Sequence, residues 1–131
     1  AAKTANNMLL GISMIATSEA FNLAAKLGLD AETFFNISSK ASGQCWAMTS
    51  YCPAPGPVPT APSNRDYEAG FAVAMMLKDL RLAQDAAADS GAAVPFGDQA
   101  ERLYAELDAQ GLSSKDFSVV MRHVEQQTPT D

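Results

Sequence analysis

Residues 2–27 read AKTANNMLLGISMIATSEAFNLAAKL, and no charged residue falls between Lys3 and Glu19. The apolar side chains of this run, from Met8, Leu9 and Leu10 through Met14 and Ile15 to Phe21, Leu23 and Ala24, are not confined to one stripe. They cover nearly the whole circumference of a helix. A helix apolar all round is a buried one, packed at the centre of its own domain or shared with another subunit. Gly28 follows as a natural left-handed stop. The spacing predicts one long buried helix over about Ala2–Leu27, with the remainder of the chain packed around it.

Outward from this run the sequence reads as helix after helix. Ala dominates, while Val, Ile, Thr and Tyr, which favour strands, are sparse. Asp30 is placed to cap a second helix over about Ala31–Lys40, with Phe34 and Ile37 one turn apart. A short helical piece around Gln44–Ser50 follows. Five of the seven prolines then fall between Pro53 and Pro62, which rules out regular helix or central strand there. The flanking stretches are too short for two cores, so the proline run reads as a shaped loop rather than a linker. A fourth helix is read from Gly70 or Phe71 to Ser90, ending at Gly91, and a fifth from Pro95 to near Gly111. Ser113 and Asp116 have capping-box spacing ahead of a last helix carrying Phe117, Val120, Met121 and Val124. Arg81 and Asp85 suit an i,i+4 ion pair. The lone His123 reads as a solvated helix residue, and the tail from Gln126 to Asp131 as frayed. The expected fold class is all-α, a helical bundle over residues 1–131 around the long N-terminal helix.

Composition narrows the function. With 131 residues, 47% of them apolar, and a formal charge of −6, the chain has the balance of one globular domain and is too apolar for disorder. Nine scattered Lys and Arg against fifteen acidic residues speak against nucleic acid or an anionic membrane surface as partner. No uninterrupted run reaches the ~20 apolar residues of a membrane span, and no targeting segment is recognisable. Cys45 and Cys52, seven residues apart, make neither a disulfide framework nor a zinc pattern and read as free thiols. There is no GxGxxG or GxxxxGK phosphate loop. One histidine cannot assemble a metal cluster or a Ser/His/Asp set, so no metal is expected.

Three groups of residues interrupt this plain pattern. Lys3, Asn6 and Asn7 are three and four apart and share a face of the first helix. Lys3 also sits at the positive end of the helix dipole, where a cation is disfavoured. A solvated terminal lysine followed by two amides that tolerate helix starts gives the same pattern. Lys78 breaks an apolar stripe of Phe71, Ala74, Met75 and Leu82. It either anchors a ligand or lays its stem on apolar surface with its head in water. Asp79 points about 100° away from it. Trp46 and Tyr51, just before the proline run, either line a pocket or are core aromatics with a polar handle.

Four ordered stretches carry a resemblance. Lys3-Thr4-Ala5-Asn6-Asn7 resembles the K-x-x-N-N catalytic motif of the β-hydroxyacid dehydrogenases. Gly43-Gln44-Cys45-Trp46, with Tyr51 and Pro53-Ala54-Pro55-Gly56, is similar to the G-x-C-W…Y-x-P-x-P-G stretch of that family's 3-hydroxyisobutyrate branch. Phe71 through Lys78-Asp79-Leu80 and Leu82-Ala83 is similar to the F-x6-K-D-L-x-L-A motif. Lys115-Asp116-Phe117-Ser118 matches the closing K-D-F-S. The resemblance spans the chain almost end to end.

The resemblance implies the C-terminal helical domain of such an enzyme, with the N-terminal Rossmann domain as a partner outside this chain. It implies NAD, or NADP, as cofactor and a small hydroxy acid as substrate. Lys3 becomes the catalytic lysine, accepting the hydroxyl proton during oxidation, and Asn7 its catalytic companion. Asn6, Trp46 and Tyr51 are implied in substrate binding, and Lys78, Phe71 and Asp79 in cofactor binding. The implied assembly is a homo-oligomer, dimer or tetramer. The implied location is cytoplasmic in a bacterium and the mitochondrial matrix in a eukaryote. The implied reaction converts 3-hydroxyisobutyrate to methylmalonate semialdehyde in valine breakdown. Reduction of tartronate semialdehyde or glyoxylate, and oxidation of serine, stay open beside it. So does a helical oligomerisation module without activity of its own.

Overall fold

A computed structural model describes residues 1–129. Among them, six α-helices follow in order: α1 (Ala2–Lys26), α2 (Ala31–Ser38), α3 (Trp46–Thr49), α4 (Val73–Ser90), α5 (Pro95–Leu107) and α6 (Val120–Gln127). No strand occurs among the described residues; only two isolated backbone bridges, Glu68–Lys115 and Ala72–Asp116, link the loops. The all-α class and the central first helix are as expected.

The long helix ends where its glycine requires. Gly28 has φ 95°. The Leu29 N–H bonds to Ala24 O at 2.9 Å and the Gly28 N–H to Ala25 O at 3.1 Å, the two bonds of a left-handed helix stop. Helix α1 packs against α4, α5 and α6. Gly11 sets the closeness of the α1–α4 crossing, because a Cβ there would lie 3.1 Å from Met76 Sδ and 3.2 Å from Leu80 Cδ2. Buried hydroxyls on α1 are satisfied within the helix, Thr17 donating to Ser13 O at 2.7 Å and Ser18 to Met14 O at 2.8 Å.

The burial of α1 is one-sided. Gly11, Met14, Thr17, Ser18, Phe21 and Ala24 are buried, whereas Leu9 and Leu23 are each 60% exposed. One chain covers one face, so the apolar circumference is not explained by packing within this chain alone. Helix α1 also has the length and apolar composition of a membrane-crossing helix. Its packing against the five other helices and its buried hydroxyls are those of the core helix of a bundle.

Several expectations are corrected. Helix α4 begins at Val73 rather than Gly70 or Phe71, because Gly70 and Phe71 donate their N–H groups to the Asp116 carboxylate instead of entering the helix. Helix α5 widens after Leu107 into one turn over Asp108–Leu112, within which Gly111, at φ 84°, breaks the helical path, at the place expected for its end. Asp116 does not form a capping box with Ser113. It is itself the cap of a short 3-10 turn, Phe117–Val119, that leads into α6. Arg81 pairs with Glu101 on α5, at 3.4 Å, and not with Asp85. His123 is only 6% exposed, since it lies one helical turn from buried Val120 on the inner face of α6. Its Nδ1 is buried without a partner among the described residues, and its Nε2 is 3.9 Å from Glu106 Oε2. The tail is held further than expected: α6 runs to Gln127, and Asn22 donates to Thr128 Oγ1 at 2.6 Å. Thr130 and Asp131, the last part of the expected frayed tail, lie outside the described residues.

Candidate active site

The N-terminal parts of α1 and α4 lie side by side. Lys3, Thr4 and Asn7 from α1 face Met75, Lys78, Asp79 and Leu82 from α4 across a cleft of about 270 Å³, with Phe71 of the preceding segment closing one side. The α1 residues are one helical turn apart, as are Met75, Lys78 and Leu82, so each helix contributes one face. A direct bond ties the two helices at the base of the cleft, Asn7 Nδ2 donating to Asp79 Oδ2 at 2.7 Å. Asn6 Nδ2 donates to Asn7 Oδ1 at 3.3 Å. Asp79, an acceptor only, thereby fixes which end of the Asn7 amide faces it. The 100° offset of Asp79 from Lys78 is what turns it towards α1.

The electrostatics of the cleft follow from its members. Two lysine side chains, Lys3 and Lys78, face it, neither in an ion pair among the described residues. The single carboxylate, Asp79, is engaged by an amide. Basic side chains outnumber the acidic one, and the other lining residues are the polar Thr4 and Asn7 and the apolar Phe71, Met75 and Leu82. Such a cleft suits an anionic ligand with an apolar ring. Its volume is at or below the ~300–1,000 Å³ of a typical small-molecule site, so it holds a portion of a nucleotide cofactor rather than a whole one.

Asn6 and Trp46 belong to a neighbouring groove of about 490 Å³, whose lining also includes Leu9, Leu10, Ser13 and Cys45. Trp46 is 54% exposed, so it is a wall residue and not a core aromatic. Tyr51 lines neither hollow. Its ring stacks edge-on against Trp46 with centroids 5.2 Å apart, and its hydroxyl donates to Asp116 Oδ1 at 2.6 Å. Burial, and then the neighbouring carboxylate, hold this hydroxyl protonated well above the usual tyrosine range. Of the sequence-derived candidates, then, Lys3, Asn7, Phe71, Lys78 and Asp79 converge on one cleft, Asn6 and Trp46 share the next, and Tyr51 connects to a buried carboxylate. Met75 and Leu82, on the apolar stripe that Lys78 interrupts, line the cleft with it, and Thr4 beside Lys3 is the lining residue that the sequence pattern does not single out. The role of Asp116 had a weaker signal, its place in the K-D-F-S stretch.

Cys45 and Cys52 are both free. Thr17 Oγ1 lies 3.3 Å from Cys45 Sγ at the rim of the groove. Cys52 is fully buried, and desolvation pushes its thiol from 9.0 up to about 11.

Fold and cleft define an all-helical domain that offers a cationic, apolar-walled cleft at the start of its longest helix. The chain belongs to a family described as NAD-binding of NADP-dependent 3-hydroxyisobutyrate dehydrogenase, whose model matches residues 1–124. It is 50% identical over 121 residues to a probable 3-hydroxyisobutyrate dehydrogenase of Mycobacterium tuberculosis, covering 92% of this chain and 41% of that protein. It is 51% identical over 120 residues to the 3-hydroxyisobutyrate dehydrogenase, mitochondrial, of Drosophila melanogaster, covering 92% of this chain and 37% of that one. A solved structure of the M. tuberculosis 3-hydroxyisobutyrate dehydrogenase with L-serine superposes with a TM-score of 0.90 at 48% identity, over 94% of this chain and 42% of that chain. The chain therefore spans about two-fifths of the length of the relatives it matches.

Proposed function

We propose that this chain is the helical, lysine-bearing domain of a 3-hydroxyisobutyrate dehydrogenase, working with a Rossmann domain that carries the rest of the NAD(P) site. The observation that carries the reading is the convergence of Lys3 and Asn7 with Lys78 and Asp79, more than seventy positions apart in sequence, on one cleft joined by the Asn7–Asp79 bond. The cleft fits a nicotinamide cofactor as one wall of its site: positive charge for phosphate or carboxylate, and the apolar faces of Phe71, Met75 and Leu82 for a ring. It lacks a glycine-rich phosphate cradle, which is why the reading requires a second domain.

When bound, the nicotinamide supplies the acceptor for the hydride that leaves the carbinol carbon. Lys3, as the neutral amine, takes the hydroxyl proton as the carbonyl forms and is left as ammonium; in reduction it returns that proton. Asn7, its Nδ2 fixed on Asp79, holds its remaining N–H and its Oδ1 in one orientation beside Lys3, and so keeps the substrate hydroxyl in line with the amine. Lys78 binds negative charge of the cofactor, with Phe71 beside it. Asn6 and Trp46 form the neighbouring groove on the substrate side. A substrate with a 3-hydroxyl and a carboxylate matches this set. L-serine, the compound named with the M. tuberculosis structure, has the same two groups.

The test is an assay of the full-length protein carrying this chain on 3-hydroxyisobutyrate, serine and tartronate semialdehyde with NAD and NADP. The highest kcat/KM is expected for 3-hydroxyisobutyrate with NAD. Turnover of none of the three contradicts the reading, and a preference for serine or tartronate semialdehyde moves it to another branch of the family. For location, the reading gives the cytoplasm in a bacterial source and the mitochondrial matrix in a eukaryotic one.

A homo-oligomer, and at the limit a helical module that only assembles, is favoured by one observation. Leu9 and Leu23 on α1 and Phe96 on α5 stand 60%, 60% and 68% exposed, and Ile12, Ile15 and Ala16 line a groove with Phe96. Apolar surface of this extent is removed from water when a second copy covers it.

A further inference from the structure

We propose that Asp116 is a positioning residue that couples the Trp46–Tyr51 aromatic wall to Phe71 and the first turn of α4, so that the substrate side and the cofactor side of the site move as one. The kinetic part of this inference rests on the dehydrogenase reading above; the structural part does not.

Asp116 is fully buried and has no cationic partner among the described residues, the adjacent Lys115 being paired with Asp66 instead. A buried carboxylate in that position is tolerated only when its oxygens are saturated with donors. They are. Oδ2 accepts from Ser118 N at 2.9 Å and from the Ser118 hydroxyl. Oδ1 accepts from the Tyr51 hydroxyl at 2.6 Å and from the Gly70 and Phe71 amides at 2.9 Å each. Capping the 3-10 turn uses Oδ2 alone. The three bonds to Oδ1 lead outward, one to the aromatic wall and two to the segment entering α4, and a local cap does not account for them.

The backbone around Asp116 extends the same clamp. Phe117 N donates to Phe71 O at 2.7 Å, Val73 N to Lys115 O at 2.8 Å and Ala74 N to Ser113 O at 3.0 Å. Val73 and Ala74 open α4 and have no acceptor within their own helix. The carbonyls of residues 113–115 take their place, so the start of the helix that carries Lys78 and Asp79 is set by the segment holding Asp116. On the other wall, Gly70 lets the Tyr51 hydroxyl come close, since a Cβ at Gly70 would lie 2.5 Å from it. Tyr51 in turn packs on Trp46 and, with centroids 5.4 Å apart, on Phe117, which packs on Phe71 at 5.6 Å. A shift of one wall is passed to the other through a single carboxylate oxygen and one aromatic ring.

Two variants test this in the full-length protein carrying this chain, Tyr51→Phe and Asp116→Asn, each with hydrogen exchange of the Gly70–Phe71 amides and separate KM values for cofactor and hydroxy acid. Loss of the charged acceptor in Asp116→Asn is expected to speed exchange at these amides about tenfold. Tyr51→Phe, which removes a hydroxyl that lines neither hollow, is expected to raise the cofactor KM about fivefold along with the hydroxy-acid KM. In the Asp116→Asn background Tyr51→Phe should add little, because both act through one contact. A rise confined to the hydroxy-acid KM makes Tyr51 a direct substrate contact and overturns the coupling. Unchanged KM values with only a lowered melting temperature make Asp116 a fold residue and overturn it as well. If the wild type oxidises no hydroxy acid, the dehydrogenase reading falls by itself. Faster exchange at Gly70 and Phe71 in Tyr51→Phe then still supports the coupling, and unaltered exchange overturns it.

Discussion

Cys52 and Cys45 show how differently one residue type behaves in two settings seven positions apart. Cys52 is sealed in the core with its thiol raised to about 11, while Cys45 lies at the rim of a groove. Reactivity belongs to the thiolate and needs access. A disulfide-exchange reagent at pH 8 is therefore expected to titrate one thiol, Cys45, in the native protein, and the second only on unfolding; two equally fast thiols contradict the packing. The sign with pH follows. The folded state keeps the Cys52 proton between 9.0 and about 11, where the unfolded chain releases it. Stability is thus fully present below pH 9 and falls as pH rises through that window, which denaturant titrations at pH 8 and 10.5 would register. At this scale the sequence was legible where a residue type was out of place. A lysine in a helix start and another inside an apolar stripe stood out without any structure. His123 and Asp116 did not, because nothing local distinguishes a buried polar residue from a solvated one. The inner position of His123 depends on which face of α6 meets α1, and the five donors around Asp116 come from three separate stretches of chain.

Among the elements, the α1–α4 crossing matters most, since it brings the two lysines together. It depends on Gly11, where the neighbouring Met76 and Leu80 atoms already stand 3.1 and 3.2 Å from the place of a Cβ. Gly11→Val is expected to destabilise the domain by about 1–3 kcal/mol in urea unfolding, the usual cost of overpacking, and to lower cofactor affinity by spreading the cleft. Unchanged stability would mean that the helices cross with slack. Helix ends written in side chains were readable. Asp30 caps α2 through Thr33 N at 2.8 Å, and Gly28 and Gly91 stop their helices in the left-handed region. Ends set from a distance were not. Nothing within residues 70–73 says that α4 starts late; the cause is the carboxylate of Asp116, 45 and 46 positions away.

For the whole molecule, the circumference of α1 poses the remaining question. Its inner stripe is buried by this chain and its outer one, with Leu9 and Leu23, is not. Sedimentation equilibrium of the full-length protein is expected to give a dimer or tetramer, and Leu23→Glu to shift it towards monomer; a monomer at tens of micromolar would leave that apolar face without its explanation.

In the proposed function Lys3 carries the proton of the reaction. The most direct measurement is kcat/KM of Lys3→Ala on 3-hydroxyisobutyrate in the full-length protein, with the fold verified by circular dichroism. A fall of about 10²–10⁴, the usual worth of a positioned proton acceptor, is predicted. A loss of less than about tenfold would contradict it, since a lysine that merely decorates the start of α1 costs no more than that.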